Sequence, residues 1–143
     1  MDNLRSRWLS LAVACLALFV TATALAQDPR ASEAQTAARS WLLITDKGDV
    51  EASWSAAGKK FREVLDLTRW RRGLTEARQP LGEVRTRTVL ATRFDTKMPG
   101  GPDGDYVQVL FETDFAQNSS GRETVTLERE PDGVWRVMGY LIR

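Results

Sequence analysis

The stretch Glu83-Val84-Arg85-Thr86-Arg87-Thr88-Val89-Leu90-Ala91-Thr92-Arg93-Phe94-Asp95-Thr96 is where the chain changes its period. Before it, apolar residues recur at helical spacing. From Glu83 onward they alternate with period two, and threonine, valine and aromatics replace alanine. The stretch therefore predicts one long strand. A straight strand of about 14 residues runs roughly 45 Å, more than a domain of this size is wide, so it must bend at a bulge. Three more strands follow, over Tyr106–Phe115, Arg122–Glu130 and Val134–Ile142. Turn chemistry separates them: Pro99–Gly104, then Asn118-Ser119-Ser120-Gly121, then Pro131-Asp132-Gly133. Short turns between consecutive strands predict an antiparallel sheet.

Upstream, Ser32 with Gln35 forms a candidate capping box. Ala34, Ala37, Ala38, Trp41, Leu42 and Thr45 then fall on one helical face, which ends at Asp46-Lys47-Gly48. Asp49 is a candidate N-cap for a second helix carrying Val50, Trp54, Ala57 and Phe61, with a kink or break expected at Gly58. A third helix is predicted from Thr68, with Trp70, Leu74 and Ala77 on one face and Pro80 and Gly82 as its stop. Helices first and an antiparallel sheet second make an α+β domain, with N-terminal helices packed on a curled four-stranded antiparallel sheet.

The first 26 residues read as a cleaved signal peptide: Arg5 and Arg7, the apolar run Trp8–Val20, and a small-residue stretch ending Ala24-Leu25-Ala26. That run is about 13 residues against the roughly 20 a bilayer-spanning helix needs, so no stable membrane insertion is expected after cleavage. Acylation of Cys15 is the other alternative, disfavoured because the apolar run continues after it to Val20. Residues 27–143 are then expected to form a single domain, periplasmic or secreted from a bacterium.

The chain has no histidine, and its one cysteine lies in the leader. Ser-His-Asp and Cys-His catalysis, histidine-ligated zinc and thiolate redox chemistry are thereby closed to the exported domain. With 20 basic and 19 acidic side chains, of which Arg5, Arg7 and Asp2 leave with the leader, that domain carries no net charge. Such a surface argues against nucleic acid as a partner. The cluster Arg69, Arg71 and Arg72 around Trp70 then reads as the wet side of a helix.

Four groups of residues are candidates for a site. Asp103 and Asp105 in the glycine-rich turn suggest calcium ligands, but the strand resumes at Tyr106 without a third ligand, so a hairpin turn is the reading and no metal or cofactor is expected. Arg85, Arg87 and Arg93 fall on one strand face with Val89 and Ala91. They suggest an anion site, against a solvated face paired to residues such as Glu112 or Glu128. Trp41, Trp54, Trp70, Trp135 and Tyr140, with Arg87, are the residues placed to line a cavity between helices and sheet. Glu123, Asp114, Glu112 and Tyr140 are the ones to consider for a carboxylate and tyrosine enzyme, although strand alternation turns Glu112 and Asp114 to solvent.

Trp41-Leu42, Asp46-x-Gly48-Asp49, Ser53-Trp54, Trp70, Arg78-x-Pro80-Leu81-Gly82, Pro99-Gly100-x-Pro102-x-Gly104-x-Tyr106, Phe111-x-Thr113-x-Phe115, Glu123-Thr124-Val125-Thr126 and Gly133-x-Trp135-Arg136-Val137-x-Gly139-Tyr140 resemble the bacterial domain-of-unknown-function family 4019. The resemblance runs from about Ala37 to Arg143 and implies no particular activity. The order of elements is also similar to the cystatin-like and nuclear-transport-factor-2-like arrangement, a likeness of fold alone. The expectation is a non-enzymatic binding module whose concave sheet face takes a small apolar or amphipathic ligand or a partner protein. The alternatives are an enzyme using a buried carboxylate and tyrosine, and assembly, such as a homodimer, through the sheet edge Val134–Ile142.

Overall fold

The computed structural model describes residues 28–143. The expected leader, Met1–Ala26, lies outside the described residues. Four helices, α1 (Pro29–Asp46), α2 (Val50–Ala56), α3 (Lys59–Val64) and α4 (Leu67–Arg78), precede four strands, β1 (Val84–Asp95), β2 (Tyr106–Phe115), β3 (Asn118–Arg129) and β4 (Trp135–Ile142). The strands form one antiparallel sheet in the order β1-β2-β3-β4. The α+β architecture expected from the change of period is the one observed. No described helix is long and apolar enough to cross a membrane.

Helix α1 starts earlier than the Ser32 capping box predicts. The Asp28 carboxylate accepts from the Arg30 backbone N–H at 2.9 Å, and Pro29 occupies the first helical position, where its fixed φ fits and its missing N–H is not needed. The helix ends where expected, with Gly48 at φ +71°. Gly58 divides the anticipated second helix into α2 and α3. Ala57 and Gly58 are extended, and the Gly58 N–H donates to the Val137 carbonyl of β4 at 2.7 Å. A Cβ on Gly58 would stand 3.1 Å from that carbonyl and 3.0 Å from Glu130 Oε1, so the glycine provides room for this close docking.

Strand β1 bends as its length requires, with register shifts at Val84/Thr86 and Val89/Ala91. Each bulge reverses which residues face the helices. Arg87 and Val89 turn inward before Leu90, and Thr92 and Phe94 turn inward after it, whereas Arg85 and Arg93 are exposed. The expectation that Arg85, Arg87 and Arg93 share a face is therefore corrected. The β2–β3 turn is also shorter than expected, because Phe115 pairs with Asn118 and Ala116-Gln117 make the turn. Gly121 lies inside β3, where a Cβ would come within 2.6 Å of the Phe115 ring. Its lack of a side chain serves packing here and has no part in a turn.

The helix-facing side of the sheet contributes Val107, Val109, Phe111, Val125, Leu127 and Val137 to the core. Ala34, Ala38, Trp41 and Leu42 of α1 pack against it. Fully burying a side chain such as Leu42 or Phe111 stabilises the fold by about 2–3 kcal/mol.

Candidate functional site

The tryptophans pack between the helices and the concave face of the sheet. Trp41 lies tilted at 5.6 Å from Trp70 and edge-on at 5.3 Å from Tyr140, and Phe61 closes edge-on against Trp70 at 5.0 Å. Ser53, itself fully buried, holds both indoles: its carbonyl accepts from Trp41 Nε1 at 2.8 Å and its hydroxyl from Trp70 Nε1 at 2.9 Å. Trp54 donates to the Leu65 carbonyl and ties α2 to the link after α3. Trp135 is buried beside Phe94, and its Nε1 has no partner among the described residues. As a group, these residues build the core and do not line a concave ligand cavity. The reason is size: four short helices over a four-stranded sheet bring indoles from both layers into contact.

Beside this cluster lies a buried box of charges that the sequence reading did not assemble. Glu123, 0% exposed, sits on β3 facing the helices and accepts at both oxygens. Arg87 Nε donates to Oε2 at 2.7 Å, and the Thr113 hydroxyl donates to the same atom at 2.5 Å. The Tyr140 hydroxyl donates to Oε1 at 2.5 Å, and Arg78 reaches that oxygen at 3.2 Å. Asp46, at the end of α1, closes the box, taking the Arg87 fork at 2.8 and 2.9 Å and Arg78 at 2.6 Å. Two guanidiniums meet two carboxylates, so the buried charge balances. The box joins α1, α4 and all four strands.

Each ionisation in the box follows from these contacts. Burial disfavours the Asp46 carboxylate, but hydrogen bonds from Arg87 and Arg78 outweigh it and hold its pKa below the ordinary value. Burial likewise opposes the Arg87 charge, and its bonds to Asp46 and Glu123 more than compensate, raising its pKa. Burial pushes the Tyr140 phenol well above its usual range, and the Glu123 charge adds to the effect. The structure thus brings together two of the residues considered for acid–base chemistry, Glu123 and Tyr140. Both Glu123 oxygens are occupied and the residue is sealed from solvent. In this arrangement the pair acts as a cross-link between layers. Arg87 is not on a solvated face, and its fork is consumed within the box. Asp114 and Glu112 lie on the opposite sheet face, and Glu112 pairs there with Arg122.

An open groove of about 420 Å³ lies at the β4 edge, on the far side of the aromatic cluster. Phe61, Val64 and Leu65 form one wall, Met98 to Pro102 the other, and Tyr106, Met138, Gly139 and Tyr140 complete it. The 98–102 wall is braced: Tyr106 donates its hydroxyl to the Pro102 carbonyl at 2.8 Å, and Gly104 N–H donates to Thr96 O. Asp103 and Asp105 belong to this braced loop, and among the described residues no group of three or more carboxylates is placed to hold an ion. Lys60 stands at the rim, its ammonium 2.6 Å from Glu128 and 3.2 Å from the Tyr106 hydroxyl. The bond to Glu128 raises its pKa. Val64 is 71% exposed and lines the groove.

Of the residues named from sequence, Trp70 and Tyr140 reach the groove, and Trp41, Trp54, Trp135 and Arg87 do not. The groove's other walls were missed because they come from α3, the α3–α4 link, the β1–β2 loop and the β4 edge, which no single stretch of sequence brings together. The one local signal was the density of proline and glycine in the 99–104 turn, which marks a shaped loop.

A family model described as protein of unknown function (DUF4019) matches residues 37–140. No curated protein and no solved structure matches the chain.

Proposed function

We propose that this chain, which belongs to the DUF4019 family, is an exported, non-enzymatic binding module that takes an apolar or amphipathic group in the groove at the β4 edge. The observation that carries the reading is the groove itself. Its volume falls within the roughly 300–1,000 Å³ typical of ligand sites, its walls are mainly apolar, and its loop wall is braced in advance. Pre-formed walls lower the ordering cost of binding. The signal-like pattern of residues 1–26 supports export, and the absence of histidine and cysteine from residues 27–143 supports binding over chemistry. The site differs from the one expected on the concave face, which the tryptophans occupy.

Titration with the amphipathic dye 8-anilinonaphthalene-1-sulfonate, followed by dye emission and by fluorescence of Trp70 in the wall, tests this reading. Saturable binding at one site is expected. Val64→Asp, at an exposed position that the core does not use, sets a carboxylate against the dye's sulfonate and is expected to weaken binding at least tenfold. Val134→Asp, exposed elsewhere, is the control and should leave it unchanged. Binding that ignores Val64→Asp would refute the placement.

A further inference from the structure

We propose that the occupant of this groove is an extended segment of a partner protein, which adds to β4 as a fifth strand and seats one apolar side chain in the groove. The proposal rests on the groove being a binding site and names its partner class.

The backbone of β4 carries the argument. Arg143 and Arg122 exchange both backbone hydrogen bonds, at 2.8 and 2.9 Å. In an antiparallel ladder the residues that face the partner strand alternate, so Leu141 and Gly139 also face β3. The N–H and C=O groups of Tyr140 and Ile142 therefore point away from the sheet, and no described residue pairs with them. A strand edge of this kind is a template for another chain. The protein already uses it once: the extended Ala57-Gly58 pair docks there through Gly58 N–H to Val137 O. Beyond that clasp, no described residue pairs with the backbone of Tyr140 or Ile142 along this edge.

The groove opens at the same place, since Met138, Gly139 and Tyr140 line it. The register shift that places Met138 out of the ladder widens the strand at that point. A strand continuing along the edge from Gly58 would turn every second side chain toward the groove. A second copy fits less well. The same edge of that copy carries its own α3 clasp, and its Tyr140 side chain is committed to its own charge box.

The test uses a terminally blocked heptapeptide of alternating threonine and leucine flanked by lysines, added to the ¹⁵N-labelled domain. Amide exchange of Tyr140 and Ile142 is expected to slow at least tenfold. The same peptide methylated on alternate backbone nitrogens keeps its side chains and is expected to give no protection. Ile142→Pro removes one outward donor without breaking a bond to β3, and should weaken the peptide about tenfold while leaving dye binding intact. Peptide binding without slowed exchange at these two amides would overturn the proposal. So would a free protein already dimeric, with both amides protected. Dye binding with no peptide binding would remove the strand and keep the groove, whereas loss of both would remove the groove reading as well.

Discussion

Replacing Glu123 by glutamine changes one atom in the charge box and little in its volume. The carboxylate accepts from four side chains, and the amide must present a donor at one of its two positions. At Oε1 the amide nitrogen would face Tyr140 and Arg78. At Oε2 it would face Thr113, whose hydroxyl can rotate to accept, and Arg87 Nε at 2.7 Å, which cannot. The less costly orientation therefore leaves one buried donor unpaired, about 1–3 kcal/mol. It also leaves two guanidiniums sharing one carboxylate, and breaking a buried pair on one side costs about 3–5 kcal/mol in all. For a domain of this size about 1 kcal/mol corresponds to roughly 4 °C, so the melting temperature should fall by about 12–20 °C. Thermal and urea unfolding followed by far-UV circular dichroism measures this. The sign of a second variant makes the test specific. Arg87→Met with Glu123→Leu removes one charge of each kind and leaves the Arg78–Asp46 pair at 2.6 Å. This double variant should be more stable than either single one. A loss below about 1 kcal/mol in Glu123→Gln, or additive losses in the double variant, would refute the account of the box as a balanced cross-link.

Two further outcomes follow from single contacts. The Asp46 pKa is held below its unfolded value, so its contribution is present above about pH 4 and is lost as pH falls through the folded value. Asp46→Asn weakens charge-assisted bonds from Arg78 and Arg87, a loss of about 1.5–3 kcal/mol at pH 7, and should give a shallower fall in stability below pH 4, as read from urea midpoints across pH. Gly121→Ala would place a methyl group 2.6 Å from the buried Phe115 ring, and overpacking of this kind costs about 1–3 kcal/mol. A melting temperature unchanged from wild type would show that Phe115 can move aside.

Much of the fold was legible from local pattern. Tyr106–Phe115 was bounded correctly because its alternation is regular, and Gly58 announced the break between α2 and α3. The misreadings share a cause. Ser32 with Gln35 fits the local capping pattern although Asp28-Pro29 starts the helix, and Gly121 sits among turn residues although its real constraint, the Phe115 ring, lies across the strand pair. The candidate site was less legible still. Trp70 and Tyr140 were identified, but the α3, β1–β2 loop and β4 residues around them meet only in the folded chain.

The sequence by itself determined the order of helices and strands, the near balance of charge and the absence of histidine. Those properties follow from composition and from spacings of two to four residues. Tertiary structure decided which way Arg87 points, because a bulge at Leu90 shifts parity only relative to β2. It also brought Asp46, Arg78, Arg87 and Glu123 into one box across separations of 32 to 45 residues. Finally, it placed the open groove at the edge of β4 and filled the concave face, since whether side chains enclose a space depends on how two layers meet.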